Sequence, residues 1–173
     1  RQMCIRDSVG SNGVGKTTLI EILLGIQDPD SGSVQRPTHT SIGYLPQVLE
    51  DQLAGTALEA TLGGASHIIA LEGRLAELRE EIGRDERPGQ NHLLKEYGDL
   101  QSRFEHLGGS TIETEAQRVL AGLGFDSDLM SRDVTQLSGG WQMRVALARL
   151  LLAGPGILIL DEPANHLDVY SVV

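Results

Sequence analysis

Two rhythms of apolar residues divide the chain. Ile68, Leu71, Leu75, Leu78 and Ile82 are spaced 3, 4, 3, 4, and Leu93, Tyr97, Leu100, Phe104 and Leu107 are spaced 4, 3, 4, 3. Such spacing returns to one face of an α-helix, so it predicts two amphipathic helices. Between them Arg84 to Asn91, RDERPGQN, is polar and contains Pro88-Gly89. The two helices are therefore expected to fold back as an antiparallel hairpin with one buried seam. Thr17 to Gly25, TTLIEILLG, reads as another helix, with Leu19, Ile20, Leu23 and Leu24 apolar and Gly25 as its stop. Ser110-Thr111-Ile112-Glu113 has the spacing of a capping box, and Ala116, Val119, Leu120 and Leu123 continue a helix that Gly124 ends. A further helix runs from Trp141 through Met143, Val145, Leu147, Leu151 and Leu152, with Trp141 packed at its start.

Strand patterns are shorter. Asp28-Pro29-Asp30-Ser31-Gly32 is turn chemistry, and the alternation after it predicts a short antiparallel strand. Ile42-Gly43-Tyr44-Leu45 reads as a strand, followed by Pro46 and Gln47. After Pro155-Gly156, the unbroken run Ile157-Leu158-Ile159-Leu160 is that of a buried parallel strand, and it ends in two adjacent carboxylates, Asp161 and Glu162. Carboxylates at the end of a buried strand are costly unless a charge partner waits there, and magnesium with a water nucleophile would be such a partner.

Two glycine-bearing segments carry anion chemistry. Ser138-Gly139-Gly140 precede a helical pattern, so their N–H groups and the helix dipole suit an anion, although an ordinary N-cap explains them equally well in isolation. Gly10-Ser11-Asn12-Gly13-Val14-Gly15-Lys16-Thr17-Thr18 decides the matter, because it has the spacing G-x-x-x-x-G-K-[ST] of a phosphate-binding loop. There the glycines let the backbone wrap a triphosphate, Lys16 brings a positive charge to the outer phosphates, and the Thr17 hydroxyl can ligate magnesium.

With these three segments in this order, the chain resembles a nucleotide-binding domain of an ATP-binding cassette (ABC) protein. LSGGWQMR from Leu137 and the run Asn165-His166-Leu167-Asp168 resemble the ABC-F subfamily, soluble twin-cassette ATPases that work on the ribosome. The resemblance implies an α/β P-loop NTPase: a parallel sheet core, antiparallel edge strands, and a helical subdomain carrying a helical-hairpin arm. It implies ATP and Mg2+ as cofactors, bound by Gly10, Ser11, Asn12, Gly13, Val14, Gly15, Lys16, Thr17 and Thr18. It further implies Asp161 as a magnesium group acting through water, Gln47 as the Q-loop residue touching both magnesium and the attacking water, and Glu162 as general base. Ser138, Gly139 and Gly140 would serve the nucleotide of a second cassette, the partner missing from this chain, with Asp168 at the interface between the two. Ala164 departs from the family's usual threonine. The adenine-stacking aromatic and the switch histidine have no counterpart, and His166 is no substitute for the latter.

The expected organisation is a leader at 1–8, the first part of the ATP-binding core at 9–50, a helical subdomain at 51–136 with the arm at about 66–107, and the signature helix and acidic strand at 137–173. Arg1 to Ser8, RQMCIRDS, is a poor lead-in strand, since Arg6 and Asp7 would sit within it. Gln2 to Ser8 matches one reading frame of a sequencing adapter and is expected to be non-native, with the cassette truncated at both ends and poorly active alone. If so, the single cysteine, Cys4, does not speak to redox compartment.

The formal net charge of −10 over 173 residues argues against a broad nucleic-acid-binding face. At the hairpin tip Arg84 and Arg87 stand beside Asp85 and Glu86, which leaves room only for a small, selective contact with ribosomal RNA. The longest apolar stretch, Val145 to Leu160, is interrupted by Arg149 and Gly154-Pro155-Gly156 and predicts no membrane span. The resemblance to the ABC-F subfamily implies a cytoplasmic ATPase acting in translation. The alternatives are the nucleotide-binding subunit of a transporter and an ABC ATPase linked to DNA.

Overall fold

The computed structural model describes residues 14–35, 40–49, 53–84 and 91–161. Gly10 to Gly13, Glu162, Ala164, Asn165, His166 and Asp168 lie outside the described residues, as do the proposed leader and the hairpin tip at 85–90.

Helix α1 (Lys16–Leu24) begins after Gly15, which adopts a left-handed conformation with φ 92°, and stops at Gly25, φ 74°. Both are conformations that a Cβ disfavours, so glycine frames this helix at each end. Strands β1 (Ile42–Leu45) and β2 (Ile157–Leu160) pair in parallel, Ile42 opposite Ile157 and Leu45 opposite Leu160. The ladder extends past the strands, Ile157 N–H donating to Ser41 O and Asp161 N–H to Leu45 O, both at 3.0 Å. Of the antiparallel strand expected after Gly32, residues 33–35 carry no strand pairing, and 36–39 lie outside the described residues.

Helix α2 (Ala57–Leu62) opens the helical half of the molecule. Thr56 and Glu59 form its capping box: the Glu59 N–H donates to Thr56 Oγ1, and Glu59 Oε2 accepts from the Thr56 N–H at 2.8 Å. That backbone donor, followed by the Thr56 hydroxyl, holds the Glu59 carboxyl below its ordinary value. At Ser110 to Glu113, where the sequence has the same spacing, no box forms. A 3-10 turn at Gly109–Thr111 runs directly into α5 (Ile112–Gly122), Thr111 becomes the N-cap, and its hydroxyl donates back to Gly108 O.

The hairpin forms from α3 (Ser66–Arg84) and α4 (Asn91–His106). Ile68, Leu75 and Leu78 of the predicted seam are buried, and Leu71, Ile82, Leu93, Tyr97, Leu100 and Phe104 are half-buried. Leu107 leaves the seam and is exposed, because Gly108 turns the chain with φ 76° and Gly109 packs under the Phe104 ring. Polar clasps flank the seam: Arg74 pairs with Glu96 across it at 3.0 Å, and Arg79 donates to the Tyr97 hydroxyl.

Helix α6 (Ser127–Ser131), capped by Asp126, and a 3-10 turn at Val134–Gln136 lead into α7 (Gly139–Ala153). This last helix is apolar on two sides and packs both ways. Val145 and Ala148 join Ala57, Ala60, Leu120, Phe125, Val134 and Leu137 in the helical core. Met143, Ala146 and Leu147 join Leu45 against the sheet. Each face buries apolar surface, so α7 holds the two halves to each other. The root of the hairpin also rests on it: a Cβ placed on Gly64 would collide with the Arg149 carbonyl oxygen. Gly64→Ala is therefore expected to destabilise the chain by about 1–3 kcal/mol through overpacking, despite alanine's better helix propensity. A denaturation midpoint at or above the wild-type value would show that the backbone contact yields freely.

Candidate nucleotide site and the family of the chain

The site begins where the left-handed Gly15 sets the direction of α1. Lys16 and Thr17 are the first two residues of that helix, with Thr18 the third, which places their backbone at the positive end of the helix dipole. Far along the sequence, β2 delivers Asp161 beyond its last paired residue. The Thr17 hydroxyl donates to Asp161 Oδ2 at 2.8 Å, joining groups 144 residues apart. Asp161 is only 5% exposed, so its carboxylate is largely removed from water. Parallel pairing also brings the ends of β1 and β2 to one edge, and Gln47 follows β1 by two residues in sequence. A hydroxyl and a buried carboxylate are the hard oxygen donors that magnesium takes, so the residues present fit this ion. Of the predicted phosphate-loop residues, Val14 to Thr18 are described and are contiguous with this corner.

The second predicted segment is built separately, from the helical half. Ser138 is the N-cap of α7 with extended backbone, φ −65° and ψ 158°, and its hydroxyl makes no capping bond. Leu137 before it is buried, whereas Ser138 and Gly139 are exposed. Three side chains of the first turns of α7 anchor this head. The Trp141 ring meets Phe125 edge to face at 4.8 Å, which bears out packing as its role. Arg144 lies 4.6 Å over the Trp141 ring and donates to the Leu123 carbonyl. Gln142 Nε2 donates to the carbonyls of Val134 and Leu137, both at 3.1 Å. Upstream, the Thr135 hydroxyl, then its N–H, hold the Asp133 carboxyl below its ordinary value as it caps the turn. Asp133 is also bridged to Thr56, with Val134 N–H donating to Gly55 O and Ala57 N–H to Arg132 O. The start of α2 and the approach to α7 are thus one hydrogen-bonded unit. Sequence reasoning passed over Gln142 and Arg144, whose only signal was their place one turn into a helix headed by Ser-Gly-Gly.

A glycine-framed helix whose threonine meets an acid at the end of a parallel strand, with a glycine-headed helix feeding that strand, defines a P-loop nucleotide-binding cassette. The chain belongs to the ABC transporter family, whose profile matches residues 7–165. Among curated relatives it is 37% identical over 163 residues to the uncharacterised ABC transporter ATP-binding protein YfmM of Bacillus subtilis, covering 92% of this chain and 31% of that protein. It is 34% identical over 168 residues to ATP-binding cassette sub-family F member 3 of Homo sapiens, covering 95% of this chain and 22% of that protein. Members of the F branch thus stand among its relatives, and the chain spans about a third or less of their length. Among solved structures, it superposes with TM-score 0.53 and 29% identity on a chain from the complex of an archaeal ribosomal stalk protein with the archaeal ribosome recycling factor ABCE1. That match covers 94% of this chain and 23% of the other. Among the described residues no helix is long and apolar enough to cross a membrane.

Proposed function

We propose that this chain is the first ATP-binding cassette of a twin-cassette ABC-F ATPase that acts on the ribosome in the cytoplasm. The observation that carries the ATPase reading is the Thr17–Asp161 hydrogen bond, which joins a phosphate-loop hydroxyl to a buried acid at a strand end. Thr17 and Asp161 would hold magnesium, with Gln47 beside them. Bound magnesium would offset phosphate charge and polarise the terminal phosphoryl group. Gly10 to Thr18 wrap the phosphates, Lys16 stabilises charge on the outer ones, and Glu162 takes a proton from the attacking water. Ser138, Gly139 and Gly140 address the nucleotide held by the second cassette, and Asp168 sits where the two cassettes meet. ATP-driven closure then moves the α3–α4 hairpin as an arm.

The ribosomal part of this reading is supported by the F-branch relatives and by the hairpin between the two motif-bearing segments. Its test uses the intact protein with Glu162 and its second-cassette counterpart both changed to Gln, sedimented with ribosomes. ATP-dependent co-sedimentation is expected. No association, with ATP binding and cassette closure intact, would overturn the ribosomal reading and favour a DNA-linked or transporter-linked ATPase.

A further inference from the structure

We propose that Gln142 is the positioning residue of the signature segment, tying the head of α7 to the turn before it where the Ser138 hydroxyl makes no capping bond. The inference rests on the reading above, that Ser138 to Gly140 address a second cassette's nucleotide.

A serine at a helix N-cap ordinarily turns its hydroxyl inward to accept from the backbone N–H two or three residues on. Ser138 has the extended backbone of an N-cap but no such bond. Some other contact must keep the segment extended, because a helix head without its cap frays. Gln142 supplies it from two directions. Its backbone N–H donates to Ser138 O at 2.9 Å, closing the first helical turn. Its side-chain Nε2 reaches past the head of the helix to the carbonyls of Leu137 and Val134.

The amide nitrogen carries two hydrogens, one for each carbonyl. Those carbonyls belong to the turn that ends at Leu137, already closed by Leu137 N–H to Val134 O at 3.0 Å. Val134 and Leu137 are 1% and 7% exposed, so the turn is pinned to the helical core. Gln142 joins that buried turn to the helix on either side of Ser138. The Ser138 hydroxyl and the N–H groups of Gly139 and Gly140 are then held in one geometry without the serine contributing its own hydroxyl. A signature built this way is preorganised for a phosphate that arrives only when a second cassette closes.

A carboxylate at this position would have the same shape, would donate nothing and would set negative charge against two carbonyl oxygens. A lysine would restore donors to both. The test compares Gln142→Glu, Gln142→Lys and Ser138→Arg in the intact twin-cassette protein, measuring ATP turnover and, separately, binding of a fluorescent ATP analogue to the open state. Gln142→Glu is expected to lower kcat about tenfold, equivalent to about 1.4 kcal/mol at the composite site. Analogue binding at the phosphate loops stays at the wild-type level, and Gln142→Lys recovers most of kcat. Wild-type kcat in Gln142→Glu, equal impairment of Gln142→Lys and Gln142→Glu, or a parallel loss of analogue binding overturns the proposal. Ser138→Arg separates the two levels: wild-type turnover in that variant means the signature does not serve a partner's nucleotide. Loss of turnover there together with an active Gln142→Glu sinks the positioning role alone.

Discussion

In the intact protein, Asp161→Asn is expected to lower magnesium-dependent ATP hydrolysis by about 10²–10³-fold, since a bound metal contributes several kcal/mol of charge stabilisation and each 1.4 kcal/mol is about tenfold in rate. Asparagine keeps the shape and can still accept from the Thr17 hydroxyl, so the fold around the 2.8 Å contact is preserved while the negative charge is removed. Thr17→Ser retains the hydroxyl and should keep most of the activity, whereas Thr17→Ala should resemble Asp161→Asn. The measurement is phosphate release as a function of magnesium concentration, with nucleotide binding in the absence of magnesium followed in parallel. An Asp161→Asn protein that hydrolyses ATP like the wild type would remove Asp161 from the metal site. It would leave the burial of this carboxylate, 5% exposed, to be explained by its bond to Thr17 alone.

The second large effect is on stability. Leu120 is fully buried on α5 and belongs to the same core cluster as Ala57, Phe125, Val145 and Ala148, so its contacts reach α2, the approach to α6, and α7. Leu120→Ala removes buried methyl groups where surrounding helices are held by other contacts, and it should cost about 2–5 kcal/mol. That is a large share of the roughly 5–15 kcal/mol that stabilises a typical domain. Leu94 on α4 is the control: it is 51% exposed, and Leu94→Ala should stay within about 0.5 kcal/mol of the wild type. Denaturant midpoints at unchanged slope measure both. Equal and small effects at the two positions would mean that the helical half is not held by the core around Leu120.

These expectations share one element. Because α7 buries Val145 and Ala148 toward the helices and Met143, Ala146 and Leu147 toward the sheet, it cannot shift without disturbing both. Its head carries the signature, its tail feeds the strand that leads to Asp161, and its Arg149 carbonyl bears on Gly64 at the root of the hairpin. A displacement of α7 is therefore felt at all three places.

What the sequence determined by itself is local. The 3–4 spacing of Ile68 to Ile82 and of Leu93 to Phe104 was enough for two helices, since each repeat specifies one apolar stripe. Gly25 was enough for the end of α1, because only backbone conformation is at stake there. The spacing of the phosphate loop and the order of the motifs were enough for the family, which depends on residue type and order. Capping was legible in form but not in place: Thr56-Ala57-Leu58-Glu59 and Ser110-Thr111-Ile112-Glu113 share one spacing, and only the first closes a box. The difference lies in what precedes them, for Gly108 and Gly109 drive the chain into a 3-10 turn under Phe104 and move the second N-cap to Thr111. Leu107 left its seam for the same reason. Tertiary structure alone decided the pairings between distant segments: Thr17 with Asp161, Gln142 with the carbonyls of Val134 and Leu137, and Gly64 against Arg149. Each depends on which faces pack together, and packing is set by the summed burial of two cores that no single segment encodes.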